Sequence, residues 1–329
     1  MARAWSLTSR PQGLPTSDNF ALIDLDRRDL GEGEVRIANS WLSVDPYMRG
    51  RMNDVKSYTP PFEIGKPMDG GAIGTVVESR SDRFKEGDTV QHFAGWRDEA
   101  VVPAAQVQKL PALDVPPQAF LGQLGMPGMT GYFGLLAVAE AKAGDTVFVS
   151  AAAGAVGSTV VQVAKAKGMT VIGSAGGAEK CAWVKSLGAD AVIDYKGDVP
   201  VVKALGEAAP KGIDVYFDNV GGEHLDAALA HANLHARFAI CGMIDVYNSG
   251  AATQLKYLAR LIGNRIQIRG FIVSDFMSRA DEFYKDMGGM LSAGTLKRQE
   301  TVHEGLETMP DAFLGLFSGG NTGKMLVKV

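Results

Sequence analysis

A predicted strand, a turn of very small residues and a predicted helix follow one another over residues 145–158, and this arrangement constrains the fold most strongly. Residues 146–150 are apolar and β-branched, which is typical of a short buried strand. After the turn, apolar residues recur at the spacing of one helix face: Val156, Val160, Val163 and Ala164. Such a turn brings backbone N–H groups and the positive end of a helix against a phosphate, so it predicts a nucleotide site.

The turn departs at one position from the glycine pattern of dinucleotide sites. Ala152 takes the place of the first glycine in the G-x-G-x-x-G fingerprint, and Gly154 and Gly157 take the other two. Small-residue turns between a strand and a helix also occur as plain packing, so the turn alone leaves two interpretations open. The sequence that follows favours the nucleotide site.

Short apolar strands alternate with helical segments after this turn. The predicted strands are 170–173, 191–194, 213–218, 238–242 and 266–272, and the predicted helices are 179–187, 200–209, 223–231 and 253–262. This alternation is typical of a parallel sheet covered on both faces, with nucleotides bound at the carboxyl ends of its strands. It predicts an α/β domain with a Rossmann-type, doubly wound parallel sheet over residues 123–293.

The end of the second strand of this domain bears on which dinucleotide binds. Sites for NAD usually carry Asp or Glu there, about 20 residues past the glycines. Here the strand runs into Gly-Ser-Ala-Gly-Gly at 173–177, followed by Glu179 and Lys180. Glu179 is ambiguous, because acids are favoured in the first turn of any helix. Lys180 can meet a 2′-phosphate or be an ordinary solvated lysine, and together these features favour NADP (NADPH).

The remainder of the chain has a different character. Residues 1–122 are rich in glycine, proline and short β-type runs, which predicts a separate β-rich domain. Segment 294–329 ends in a strand-like run at 324–329, which could return to either domain.

Composition excludes several classes of protein. The chain has 329 residues, of which 46% are hydrophobic and 21% charged, and this agrees with two globular domains. A net charge of −4 offers no basic surplus for nucleic acid or a membrane surface. The most apolar region, 147–163, is interrupted by polar residues, and no signal-peptide core is seen, so no membrane span or secretion is expected. The two cysteines, Cys181 and Cys241, exclude a disulfide framework and favour a reducing cytoplasm.

Five motifs give the chain a resemblance to a known family: VDPYMRGR at 44–51, MPGMT at 126–130, AAAGAVGS at 151–158, FDNVGG at 217–222 and CGMIDVYN at 241–248. The chain resembles the medium-chain dehydrogenase/reductase superfamily, in its zinc-free branch of leukotriene hydroxydehydrogenase/prostaglandin reductases, plant alkenal double-bond reductases and bacterial curcumin reductases. The resemblance covers essentially the whole chain. It implies a chaperonin-10-like β-rich domain, a return of 294–329 to that domain, and NADPH-dependent reduction of the carbon–carbon double bond of α,β-unsaturated ketones or aldehydes.

A metal site is not expected. Two cysteines are too few for a four-cysteine structural zinc site. The histidines form no close Cys/His ligand pair in the first domain, and His231 and His235, although spaced i,i+4, are better suited to surface or loop roles.

The resemblance also implies which residues bind the cofactor. Those expected under the pyrophosphate are Gly154, Ala155, Val156 and Gly157, and those beside the 2′-phosphate are Lys180 and Tyr195. The remaining positions that match cofactor contacts are Thr130, Asn219, Cys241, Phe271 and Asn321. Asn219 could instead cap the next helix, and Cys241 could be a small buried hydrophobe at a strand end. One departure is Gly131, where relatives commonly carry alanine and a looser helix is expected.

Two tyrosines are the candidate catalytic residues. Hydride addition to the β-carbon of an enone leaves negative charge on the carbonyl oxygen, and a neutral phenol O–H is a suitable donor to that oxygen. Tyr247 follows a strand end on the rim where substrate is expected to meet the nicotinamide, and Tyr47 lies in the Asp-Pro-Tyr motif that the family turns towards the substrate. Either residue could instead be an ordinary rim tyrosine.

Two other functions stay open from the sequence: an NADPH quinone reductase on the same architecture, and a nucleotide-binding protein without catalysis. The expected partners are a small enone or enal substrate and a second copy of the chain. Segment 265–273 is predicted to be the last strand of the sheet, and another copy could pair with its edge, where related enzymes dimerise.

Overall fold

The computed structural model describes residues 2–250 and 252–329. The strands are β1 (Ala2–Leu7), β2 (Phe20–Leu25), β3 (Glu34–Ser43), β4 (Ala72–Ser79), β5 (Thr89–His92), β6 (Glu99–Pro103), β7 (Gln108–Lys109), β8 (Thr146–Val149), β9 (Thr170–Ala175), β10 (Ala191–Asp194), β11 (Ile213–Asp218), β12 (Ala232–Ile240), β13 (Gln267–Gly270), β14 (Glu300–Glu304) and β15 (Lys324–Lys328). The α-helices are α1 (Met48–Arg51), α2 (Met126–Phe133), α3 (Ala155–Ala166), α4 (Ala178–Ser186), α5 (Val201–Ala208), α6 (Gly222–His231), α7 (Arg260–Asn264), α8 (Ala280–Ser292) and α9 (Met309–Ser318). Within these described residues, no helix is long and apolar enough to cross a membrane.

The chain divides into two compact units. The first consists of the chain up to Leu121 together with Glu300–Val329, and the second is Gly122–Gln299. The sequence predicts the last boundary between 293 and 294, several residues before the one in the structure. Lys297 explains the difference, because its N–H donates to Gln162 Oε1 at 2.7 Å and its carbonyl accepts from Gln123 Nε2 at 2.8 Å, so the segment before Glu300 stays with the second unit.

The second unit is built on a six-stranded sheet in the order β10-β9-β8-β11-β12-β13. Each neighbouring pair in this order runs parallel. Phe148, Tyr216 and Phe238 are buried on the neighbouring strands β8, β11 and β12, with 5.3 Å between the ring centroids of each successive pair. Side chains of α5 and α6 close this core. The predicted Rossmann-type, doubly wound α/β fold is confirmed.

One predicted helix, at 253–262, is wrong for most of its length, because α7 begins only at Arg260. The first amides of α7 donate to carbonyls three residues earlier instead of four, as from Arg260 to the carbonyl of Tyr257, so the preceding residues form turns. Asp226 Oδ1 on α6 accepts the Tyr257 N–H at 3.0 Å, and the Tyr257 side chain packs against the core of the sheet. This contact with α6 holds the segment in turns although its apolar spacing suits a helix.

The first unit is β-rich, as predicted. Its larger sheet has the order β14-β15-β3-β4-β5-β7, with β6 also paired to β3, and β1 and β2 form an antiparallel pair. Phe20 stacks on Trp96 at 5.9 Å, and Phe313 of α9 meets the same tryptophan edge-on at 5.9 Å. Because β15 pairs antiparallel with β3, the C-terminal segment belongs to this unit.

Candidate active site

The turn between β8 and α3 depends on close backbone packing. The N–H of Gly154 donates to the carbonyl of Ala151 at 3.0 Å. A Cβ atom on Gly157 would lie 2.3 Å from that same carbonyl oxygen, so only glycine fits there. Gly154 is the N-cap of α3 and supplies no side-chain cap. The first amide N–H groups of the helix therefore have no partner within it, and they are suited to bind an anion.

The outer side of this turn is open. Gly154, Ala155 and Val156 are half-exposed, whereas Gly157 is buried. Among the described residues, a Cβ atom placed on Gly154 would have one neighbouring atom within 4 Å, the carbonyl oxygen of Ala151 at 3.3 Å. The four predicted pyrophosphate residues thus form a small-residue cradle with uncapped amides, which fits a dinucleotide.

Positive charge and a phenol meet at the ends of β9 and β10. A Cβ atom on Gly176 would lie 2.8 Å from the hydroxyl of Tyr195 and 3.1 Å from Cε of Lys196. Desolvation lowers the pKa of Lys180, and the nearby charge of Lys196 lowers it further. Two ammonium groups that repel each other gain most from an anion bound between them, so this cluster fits a 2′-phosphate.

Lys196 was not predicted from the sequence. The signal was its position directly after Tyr195, at the end of a strand next to β9. Its backbone N–H and that of Gly177 both donate to Asp194 Oδ1, at 3.0 and 2.8 Å. These bonds join the two strand ends and bring Lys196 close enough to Lys180 for their charges to interact.

The ends of β8, β11 and β12 are joined by short hydrogen bonds. Asn219 donates from its backbone N–H to Ser150 Oγ at 2.8 Å and from Nδ2 to the Ser150 carbonyl at 2.7 Å. Asn219 is therefore not a helix cap, and the N-cap of α6 is Gly221. β12 ends at Ile240, earlier than predicted, because the next two N–H groups donate to the carbonyl of Asp218 at 2.9 and 3.1 Å.

Cys241 occupies the first position after β12. Burial, assisted by the negative charge of Asp218, raises the pKa of its thiol to about 12. The thiol is therefore neutral and poorly nucleophilic at physiological pH. The environment of Cys241 therefore suits a noncovalent contact with a ligand at the end of the strand.

Tyr247 folds back onto this same strand end. It follows a single helical turn at Ile244–Val246. Its hydroxyl accepts the N–H of Met243 at 3.3 Å and lies 3.1 Å from where a Cβ atom of Gly242 would be. The structure thus brings the phenol of Tyr247 to the carboxyl end of the sheet, against the backbone of Gly242 and Met243.

Thr130 and Phe271, the other predicted cofactor contacts in this unit, lie on different elements. Thr130 Oγ1 donates to the carbonyl of Met126 at 2.7 Å, within its own helix α2. Phe271 follows β13, and its ring would lie 2.4 Å from a Cβ atom on Gly134. At Gly131, the position expected to loosen the helix, a Cβ atom would lie 3.0 Å from the Val156 carbonyl, so this glycine lets α2 pack closely against α3.

The first unit holds the second candidate tyrosine. The hydroxyl of Tyr47 is buried and has no hydrogen-bond partner among the residues that the structure describes. Desolvation raises its pKa well above 10, so the phenol stays neutral. The ring stacks on Phe93 at 6.5 Å. Asp45, two residues earlier, is buried and receives Lys324 Nζ at 3.0 Å, together with a hydrogen bond from Ser43 Oγ.

Asn321, a predicted cofactor contact, also lies in the first unit. Its Nδ2 donates to the carbonyl of Gly323 at 2.8 Å, in the turn that leads into β15. The structure describes its local role in this turn, and its contact with a cofactor stays a prediction.

Comparison with known proteins identifies the family. Residues 3–110 match the model described as the N-terminal domain of oxidoreductase, and residues 155–292 match the zinc-binding dehydrogenase model. The chain is 42% identical to the NADPH-dependent curcumin reductase of Escherichia coli, over 99% of this chain and 96% of the relative. The chain belongs to the medium-chain dehydrogenase/reductase family. It is also 42% identical to a tobacco (Nicotiana tabacum) NADP⁺-dependent 2-alkenal reductase, over 91% and 88% of the two chains.

A solved structure matches the fold of the chain closely. CurA from Vibrio vulnificus, in complex with NADPH, is 42% identical to the chain and superposes with a TM-score of 0.94 over 99% of each protein. The β-rich unit and the Rossmann-type unit therefore have the same folds as in CurA.

One of the two family models is named for zinc binding, so the His, Cys, Asp and Glu side chains are of interest. Among residues 2–250 and 252–329, no group of three or more His, Cys, Asp or Glu side chains could hold a metal ion. His92 and His224, which are buried, have other partners: Nε2 of His92 contacts Asn39 Oδ1 at 2.8 Å, and Nε2 of His224 contacts Ser174 Oγ at 2.7 Å. Desolvation lowers the pKa of each histidine to about 4, so both rings are neutral.

Proposed function

We propose that the chain reduces the carbon–carbon double bond of α,β-unsaturated ketones or aldehydes. It is an NADP-dependent oxidoreductase of the type that acts on such bonds. The observation that carries the proposal is the 42% identity, over nearly the whole chain, with a reductase named for curcumin, whose double bonds are conjugated to carbonyl groups. The tobacco relative, named for 2-alkenals, shares the same chemical feature in its substrates.

The chain's own residues suit the binding of NADPH. The cradle at 154–157 offers uncapped amides to the pyrophosphate, and Lys180 and Lys196 offer positive charge to the 2′-phosphate. Asn219 and Cys241 lie at the strand ends where nicotinamide is expected. When bound, NADPH supplies the hydride that the β-carbon of the substrate receives.

Tyr247 is proposed to stabilise the charge that then grows on the carbonyl oxygen. A neutral phenol held at the carboxyl end of the sheet is preorganised to donate to this oxygen, and such a bond strengthens as the enolate forms. Its position against the backbone at 241–243 supports this role. The proton that completes the reaction at the α-carbon is proposed to come from water.

Tyr47 is proposed as a second donor to the substrate. A buried hydroxyl without a partner among the described residues costs free energy, and a ligand oxygen would recover it. The buried Asp45–Lys324 pair holds the turn that precedes this tyrosine.

A substrate panel tests the function. Simple enones, enals, quinones and diarylheptanoids should each be offered with NADPH, and the products identified. Oxidation of NADPH with formation of the saturated ketone or aldehyde supports the proposal. Turnover of quinones alone, to quinols, would assign a quinone reductase, and binding of NADPH without oxidation by any compound would assign a non-catalytic nucleotide-binding protein.

The proposal includes a homodimer in a reducing cytoplasm. β13 is one of the two edge strands of the six-stranded sheet, and all of its residues are exposed. Ile262 on α7, just before this strand, is 84% exposed. An open edge beside an exposed apolar side chain suits pairing with a second copy. Both cysteines are free thiols, which fits a reducing compartment.

A further inference from the structure

Asp218 is a fully buried carboxylate that uses only one of its oxygens. It is the last residue of β11, and its relative exposure is 0%. Oδ1 accepts four hydrogen bonds: from Tyr216 OH at 2.6 Å, Gly221 N at 2.8 Å, Val220 N at 2.9 Å and Ser150 Oγ at 3.1 Å. Oδ2 is equally buried and has no partner among the described residues.

The contacts of Asp218 favour its ionised form. All four neighbours donate hydrogen bonds, and bonds of this kind stabilise a carboxylate. Desolvation opposes them and raises the pKa of Asp218 above its usual value. The four donors at Oδ1 counter this desolvation and stabilise the negative charge.

This charge lies at the point where the strand order of the sheet reverses. The strands before and after that point are β8 and β11, and ligands of such sheets bind at the carboxyl ends of these strands. The carbonyl of Asp218 accepts the N–H of Cys241 at 2.9 Å, and the charge of Asp218 helps to raise the pKa of that thiol. Ser150 Oγ, which donates to Asp218, accepts the N–H of Asn219. Asn219 and Cys241, two of the residues proposed to contact the cofactor, are thus tied to this carboxylate.

We propose that the buried charge of Asp218 favours the oxidised, positively charged nicotinamide over the reduced, neutral one, and so assists hydride loss. The transfer moves one hydrogen with two electrons from the cofactor to the β-carbon of the substrate, which leaves one positive charge on the ring. A fixed negative charge in a water-poor site stabilises that positive charge without reorganisation. Asp218 acts in this scheme through its charge and without touching the cofactor, and the inference rests on the proposed use of NADPH.

The test compares the binding of the two cofactor forms to the full-length protein. Dissociation constants for NADPH and NADP⁺ are measured by calorimetry for the unchanged protein, for Asp218→Asn, and for Asp214→Asn as a matched control. Asp214 lies on the same strand and also accepts two bonds, from Thr146 N and Asn233 Nδ2, each at 2.9 Å. Asp218→Asn should weaken NADP⁺ about tenfold more than NADPH, as expected when an interaction between two partly buried unit charges is lost. Asp214→Asn should leave the ratio unchanged.

Equal weakening of both cofactor forms in Asp218→Asn would show that the residue acts only through structure, and would overturn the inference. If Asp218→Asn does not fold, the test uses the unchanged protein and an analogue of NADP⁺ in which a neutral benzamide replaces the charged nicotinamide. This analogue keeps the shape of the ring but not its positive charge. NADP⁺ should bind about tenfold more tightly than this analogue, and equal affinity would overturn the inference. Failure of the unchanged protein to bind either cofactor form would instead overturn the proposed function.

Discussion

Lys180 should determine the preference for NADPH over NADH. In Lys180→Ala, a charge-assisted contact with the 2′-phosphate is lost, which is worth about 1.5–3 kcal/mol. This corresponds to a roughly ten- to hundredfold rise in the Kd for NADPH. NADH lacks the phosphate, so its Kd should not change.

The nearby Lys196 sharpens this prediction. Because its charge already acts on Lys180, either lysine alone should retain part of the attraction for the phosphate. Lys196→Ala should therefore also weaken NADPH selectively, and the double variant should bind NADPH and NADH with similar affinity. The two effects should not be additive, since the lysines share one ligand.

Fluorescence titration with both cofactors measures these constants directly. Lys203→Ala is a suitable control, because Lys203 lies on α5 of the same unit and is 68% exposed. It should leave both affinities unchanged. An equal loss of NADPH and NADH affinity in Lys180→Ala would refute the reasoning and show that Lys180 supports the structure instead.

Three other predictions concern the reaction, the metal and the assembly. Tyr247→Phe should lower kcat about 10²–10³-fold with little change in NADPH affinity, because the bond forms mainly in the transition state; an unchanged kcat, where chemistry limits turnover, would leave Tyr47 as the candidate. Metal analysis should find well under one zinc per chain, and chelators should leave activity intact; stoichiometric zinc lost together with activity would contradict this. Light scattering at micromolar concentration should give about twice the chain mass of 34.9 kDa, and a monomer at every concentration would exclude the pairing of β13.

The sequence predicted the fold well because local patterns determine most of its elements. The strands at Ala191–Asp194 and Ile213–Asp218 match the predicted limits, since short apolar runs bounded by polar or turn residues leave little choice. The helix predicted at 253–262 does not form over 253–259, where the Tyr257 N–H donates to Asp226 Oδ1 on α6 instead of to a carbonyl of its own segment.

The candidate site was predictable only in part. The cradle at 154–157 depends on backbone shape, which small residues in sequence reveal. The roles of Lys196 and Asp218 depend on contacts between side chains on neighbouring strands. The spacing of residues along the chain does not reveal these contacts. Likewise, the spacing after β12 placed Tyr247 near the strand end, but the contact of its hydroxyl with Met243 follows from a turn that the sequence does not specify.

The position of β15 between β14 and β3 has a consequence for synthesis on the ribosome. The second unit is continuous in sequence and can fold as soon as Gln299 has emerged, whereas the sheet of the first unit lacks a central strand until β15 is made. Until then, Asp45 also lacks Lys324, which neutralises it in the finished sheet. The segment up to Leu121, about the first third of the nascent chain, is therefore the part that chaperones need to protect, although it is translated first.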